Sequence, residues 1–166
     1  MLYVLQILTL ATVAIALALP TAHMLEWPGK LRLSREQYMA MQRVYYPGFA
    51  YAGLVEPLNM LLVFILVLQT PVATPASWLR MAALIMLASM HAAYWLVTHP
   101  INSVWMAEAR LGSVGTRFFG AARAPGEILA AEGDWRRLRQ RWEGSHALRA
   151  GFGFGALLLL AAAAAL

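Results

Sequence analysis

Four nearly charge-free apolar stretches decide what this 166-residue chain can become. A helix needs roughly 20 predominantly apolar residues to cross about 30 Å of hydrocarbon. Residues 1–20, 48–68, 77–97 and 148–166 reach or approach that length. In lipid, backbone N–H and C=O groups must pair within the segment, so such stretches form helices. The expected fold is all-α: a single-domain transmembrane four-helix bundle, with additional cytoplasmic helices in two long loops. Composition agrees, since 61% of the residues are hydrophobic and only 13% charged, against about 25% charged in a soluble domain. Residues 16–22, Ala-Leu-Ala-Leu-Pro-Thr-Ala, have the look of a secretory cleavage region. No basic side chain precedes them, so a retained first helix is expected.

The connections carry the orientation. Residues 69–76 make a tight link with two prolines and two threonines, whereas residues 21–47 and 98–148 form long loops on one side of the membrane. Of the 13 Lys and Arg residues, 11 lie in those two loops, Arg149 sits at their edge, and Arg80 alone is near the short link. The positive-inside rule then predicts a multi-pass protein of the cell membrane, long loops cytoplasmic and both termini outside. A net charge of +5 in so apolar a chain faces anionic lipid. No basic stripe interleaved with aromatics points to nucleic acid. The chain has no cysteine, which excludes disulfides, thiolate ligands and dithiol chemistry.

The long loops also have pattern. Ser34 followed by Gln37 is a capping box in its Gln form, with acidic Glu36 in the first turn, so a helix is expected over 34–46. Residues 126–146 read as a helix running into span four, dense in arginine from Arg136 to Arg141; such a run is ordinarily a solvated or headgroup-facing surface. Gly151 and Gly155 form a small-xxx-small pair suited to close helix packing.

Polar residues inside apolar spans need partners, and ionisable ones are functional candidates. His91, Tyr94, Trp95, Thr98, His99 and Asn102 fall on one face at α-helical spacing. That stripe is either a hydrogen-bonded packing seam or the wall of a ligand site. Glu56 and Asn59 lie in span two. Glu56 sits roughly 12 Å deep at 1.5 Å per residue, beside Pro57, which removes a backbone bond and frees the Gly53 carbonyl. Arg149 or the histidines of span three are its expected partners. An ion pair and a catalytic carboxylate are equally consistent with it. Trp135, Arg139, Trp142, His146, Arg149 and Gly153 share a face at the approach to span four. Threaded onto the four spans, His23, Glu56, His99 and His146 come to similar depth, one per helix, and predict a pocket.

Two segments carry a family resemblance. Thr98-His-Pro-Ile-Asn102 resembles the Pro-hydrophobic-Asn element of the anthrone-oxygenase-like family of small four-helix membrane proteins. Trp142-Glu-Gly-Ser-His146-Ala-Leu-Arg149 is similar to that family's entry into its fourth span. The resemblance implies a cofactor-independent oxygenase acting on an aromatic, anthrone-like or otherwise lipophilic molecule. On that reading His146 or His99 is the base, because neutral imidazole suits proton abstraction near pH 7. Arg149 stabilises the enolate oxygen, Asn102 orients it, and Glu56 completes the catalytic set. Trp95, Trp105 and Trp142 stack the flat substrate, with His91, Tyr94, Asn59 and His23 also in the substrate-binding wall. Two other classes stay open. One is a haem- or metal-binding redox protein ligated by histidines with Glu26 or Glu56, although no HxxxH or HExxH spacing is present. The other is a non-catalytic carrier or accessory subunit, working as a homo-oligomer or with a partner subunit.

Overall fold

Long runs of Leu, Ala, Met and Val, with turn chemistry only at their ends, fold as helices. The computed structural model describes residues 2–45, 48–105 and 135–166. Helix α1 spans Leu2–Lys30, α2 Arg35–Gln42, α3 Gly48–Ala52, α4 Val55–Leu68, α5 Pro75–Ala93, α6 His99–Trp105 and α7 Trp135–Ala164. A 3-10 turn, Arg43–Tyr45, follows α2, and a π turn, Tyr94–Thr98, joins α5 to α6. No strand occurs among the described residues. Among the described residues, four segments are long and apolar enough to cross a membrane: Leu2–Lys30, Gly48–Leu68, Pro75–Asn102 and Trp135–Ala164.

The four pack as a ring, α1 against α4, α4 against α5, α5 against α7 and α7 back against α1. The tight link ends in a good cap: the Thr74 hydroxyl accepts from the Ser77 N–H at 3.2 Å, and Pro75 fills the first helical position, where its missing N–H costs nothing. Beside this link the interior is apolar, built from Val13, Ala16, Val63, Ala83, Leu87, Met90, Ala156 and Leu160. Large apolar side chains such as Ile7, Ile15, Leu61, Phe64, Ile85 and Leu158 point outward. Exposed apolar area on this scale is compatible with a multi-pass protein in lipid.

At the far end the helices depart from regularity, and each departure shapes the site. Helix α1 does not stop at Pro20 but runs through Pro20 and Pro28 to Lys30, ten residues beyond the span expected from the sequence. His23, Glu26 and Lys30 thereby share one face. The expected α2 forms with both halves of its capping box, the Ser34 hydroxyl accepting from the Gln37 N–H and the Gln37 side chain from the Ser34 N–H. Span two is broken at Gly53–Leu54. The Gly53 carbonyl, which Pro57 has no N–H to serve, accepts from the Glu56 N–H at 3.1 Å. In span three the His99 N–H reaches back to the Tyr94 carbonyl, a five-residue step that widens the helix just before Pro100. The packing glycine of α7 is Gly153, where a Cβ would lie 3.1 Å from Leu17 Cδ1 and 3.3 Å from Met90 Sδ; Gly151 faces open space. Of the expected helix over 126–146, the part from Trp135 onward is present and continuous with span four; the rest lies outside the described residues.

Candidate functional site

The break in span two, the π turn in span three and the long start of α7 leave a cavity of about 480 Å³ between them. Rings dominate its wall: Tyr45, Phe49, Tyr94, Trp95, Trp105 and Trp142. Its polar groups are His23, Gln42, Glu56, His91, Thr98, Asn102, His146 and Arg149.

A chain of hydrogen bonds crosses this wall. The Trp95 indole N–H donates to His91 Nε2 at 2.8 Å, so in the neutral ring Nδ1 carries the proton and points at Glu56 Oε2, 3.3 Å away. The other oxygen of Glu56 accepts from Arg149 Nη2. Both expected partners of Glu56 are therefore present. The Arg149 guanidinium lies 5.1 Å over the Tyr94 ring, and its Nε–H has no acceptor among the described residues. The pair is buried, at 4% exposure for Arg149 and 5% for Glu56. Its mutual compensation is what makes such burial tolerable.

His146 is set differently. Its Nδ1 lies 2.9 Å from the Trp142 carbonyl, which only accepts, so Nδ1 holds the proton and Nε2 keeps a lone pair in the neutral ring. The His146 ring packs 4.2 Å from Trp142 and 4.3 Å from His23. His23 is enclosed further by Tyr45 and Phe49, and its Nδ1 accepts from Lys30 Nζ at 3.1 Å. Asn102 accepts from the Trp142 indole N–H at 2.7 Å and hydrogen-bonds the Tyr94 hydroxyl. Both ends of its amide are committed to the wall, so it fixes Trp142 in place.

Behind the cavity lies a second polar cluster. Lys30, 1% exposed, stands 3.1 Å from Glu26 and 3.4 Å from the fully buried Glu143. Tyr38 donates to Glu143 at 3.0 Å, Tyr45 donates to Glu26 at 2.6 Å, and Arg139 donates to the Lys30 carbonyl. Burial, reinforced by the neighbouring carboxylates, pushes both phenols well above the ordinary tyrosine value.

The sequence-derived site is thus partly assembled. His23, Glu56, His91, Tyr94, Trp95, Asn102, Trp105, Trp142, His146 and Arg149 meet at one cavity. His99 and Asn59 do not. The extra residue in the π turn rotates His99 away from the α-helical stripe, and its ring stacks 4.7 Å from Trp95 without lining the cavity. Asn59 is buried one turn below Glu56, its side-chain N–H without a partner among the described residues. Sequence reasoning missed Lys30, Tyr38, Gln42 and Glu143. The signal for Glu143 was its place inside the Trp142–His146 segment, and for Lys30 its spacing of seven from His23. Within the arginine run, Arg139 is buried over the Trp135 and Tyr38 rings, while Arg136, Arg137 and Arg141 are exposed as expected. Among the described residues no three His, Asp or Glu side chains are placed to hold one metal ion.

Comparison with protein-family models, with curated proteins and with solved structures gives no match for this chain.

Proposed function

We propose that this chain is a multi-pass protein of the cell membrane that binds a flat, lipophilic aromatic molecule and oxygenates it without a cofactor, with its two long connections in the cytoplasm. The observation that carries the reading is the composition of one cavity wall: stacked rings, an imidazole with an uncommitted Nε2 at His146, and the Arg149 guanidinium. Its volume falls within the range of small-molecule sites, about 300–1,000 Å³. The orientation rests on the 11 basic residues of the two long connections.

An anthrone-like substrate has an acidic CH2 flanked by two rings and opposite a carbonyl. His146 Nε2 takes one proton from it, and Arg149 holds the charge that develops on the carbonyl oxygen. The carbanion gives its electrons to O2 and a C–O bond forms. The peroxide recovers the proton from His146, and loss of water, with the remaining C–H proton, breaks the O–O bond. CH2 becomes C=O, and one O2 becomes the ketone oxygen and one water. Of the two candidate bases, His146 is preferred to His99 because it lines the cavity. Asn102 acts through Trp142 and is a positioning residue. Glu56 holds Arg149 and His91 in place.

The test is oxygen uptake by purified, reconstituted protein supplied with anthrone. Uptake of one O2 per substrate is expected, abolished in His146→Ala while His99→Ala retains most of it. Near-normal turnover by a folded His146→Ala protein refutes the role of His146. Binding with no uptake by the unaltered protein favours the carrier reading instead.

A further inference from the structure

The cavity has a mouth, and its placement bears on where the ligand comes from. Three lining residues are exposed: Leu54 at 60%, Trp95 at 50%, and Pro57. They flank the seam where the start of α4 meets the end of α5 and the π turn that follows it, as the contact from Glu56 in α4 to His91 in α5 shows. All three lie inside segments apolar enough to cross a membrane, Gly48–Leu68 and Pro75–Asn102. Their exposed neighbours are Leu58 at 45%, Leu61 at 54% and Leu96 at 75%. An opening bordered chiefly by such side chains, with the partly exposed His91 beside them, faces acyl chains rather than water. At the other side of the cavity, Gln42 and Trp105 are 4% and 5% exposed, and the Gln42 amide and the Trp105 indole each have a buried N–H with no acceptor among the described residues. A buried donor without an acceptor is costly, and a ligand oxygen relieves it.

We infer that the cavity is loaded sideways from the bilayer, through the seam between α4 and the π turn, by an uncharged ring compound whose carbonyl or hydroxyl oxygens lead toward Gln42 and Trp105. Trp95 stands at the entrance. Its indole N–H bond to His91 closes the seam, and swinging it outward opens the way. A ligand delivered this way is one already dissolved in the membrane, and its effective concentration is its mole fraction in lipid.

This inference deepens the oxygenase reading by naming its substrate class and route, but its test reads binding, not turnover. The full chain is reconstituted in phosphatidylcholine vesicles, and quenching of its tryptophan fluorescence by 1,8-dihydroxyanthraquinone is followed. At equal aqueous concentration, association should quicken in proportion to partition into lipid when 1,8-dihydroxyanthraquinone is compared with less lipid-soluble hydroxyanthraquinones, and the water-soluble anthraquinone-2-sulfonate should not compete. Leu54→Trp should slow association about tenfold with a much smaller change in affinity, since a blocked entrance is a rate effect. Val72→Trp, at a 92% exposed position on the distant short link, should leave the rate unchanged. Gln42→Leu should weaken binding about tenfold, the worth of a hydrogen bond. Association rates set by aqueous concentration whatever the partition into lipid, effective competition by the sulfonate, or an unaltered rate in Leu54→Trp would overturn the proposal, even if oxygen uptake were found. Lipid-dependent binding without oxygen uptake would leave it standing while the oxygenase reading fell.

Discussion

The two ends of the bundle use burial in opposite ways. Near the short link the interior is Val13, Ala16, Val63, Leu87 and Leu160, and no ion pair occurs there among the described residues. The buried Arg80 donates to the Thr70 hydroxyl, a neutral group. At the other end the helices bury Lys30, Glu56, Glu143, His146 and Arg149, break twice, and leave a cavity. Lipid explains the contrast. Apolar side chains gain little by leaving acyl chains for a protein interior, so the packed end is held by shape and dispersion. A stranded charge in lipid is expensive, so the polar end is held by the cost of separating partners. One end can lose a contact gradually; the other loses it all at once.

The comparison breaks most visibly at Glu143. Glu143→Ala leaves the buried Lys30 with Glu26 and His23 as partners and strands the Tyr38 hydroxyl, and should cost about 3 kcal/mol, read as loss of folded protein in a detergent unfolding titration. The double variant Lys30→Met with Glu143→Leu should recover most of that loss, because the charge that remains in the single variant is then gone. If the double variant is as unstable as the single one, the cluster is held by packing and the contrast between the ends fails.

At the packed end, Leu87→Ala removes a side chain that is 2% exposed. In a water-soluble core such a truncation costs about 2–5 kcal/mol. Here the transfer part largely vanishes, since the unfolded reference is also in lipid, and about 1–2 kcal/mol is expected. An effect equal to that of Glu143→Ala would erase the distinction.

How much of this was legible depended on whether the rule in play was local. The four spans and the Ser34–Gln37 capping box follow from short windows of sequence and are present, the first span ten residues longer than its window. Glu56 announced itself because a carboxylate between Val55 and Pro57 has no business in lipid unpaired. The stripe on span three followed at His91, Tyr94, Trp95, Thr98 and Asn102, which line the cavity, but not at His99. Strict α spacing puts His99 beside Trp95 on the cavity side, but Pro100 cannot donate to Leu96, and the chain widens by one residue in the π turn instead. Pro100 was the available sign. Lys30 and Glu143 were illegible for a different reason. Each stands where a solvated charge is the ordinary reading, and only the extension of α1 past Pro20 brings them within 3.4 Å of each other.

The buried phenols sharpen the contrast through pH. Tyr38 and Tyr45 lie in the loop between the first two spans, and their folded-state values are raised by burial and by Glu143 and Glu26. Because the folded form holds these protons more tightly, the stability they contribute is whole below the unfolded value of about 10 and declines as pH rises above it. Phenolate absorbance from these two residues should therefore appear only together with loss of helical circular dichroism. Ionisation of both before any helix is lost would show that water reaches the cluster.

The smallest effect is expected at Ser34. Its hydroxyl caps α2, the helix that presents Tyr38 to Glu143, and Ser34→Ala should cost about 1 kcal/mol. The informative quantity is where that cost falls. Exchange of the backbone N–H groups of α2 and of the Arg43–Tyr45 turn should quicken, while those of α4 and α5 beside the short link stay as slow as before, because no polar partner ties that end to the cap. Uniform acceleration along all four spans would mean that the packed end and the polar end unfold as one unit, and that their different chemistry does not make them separately stable.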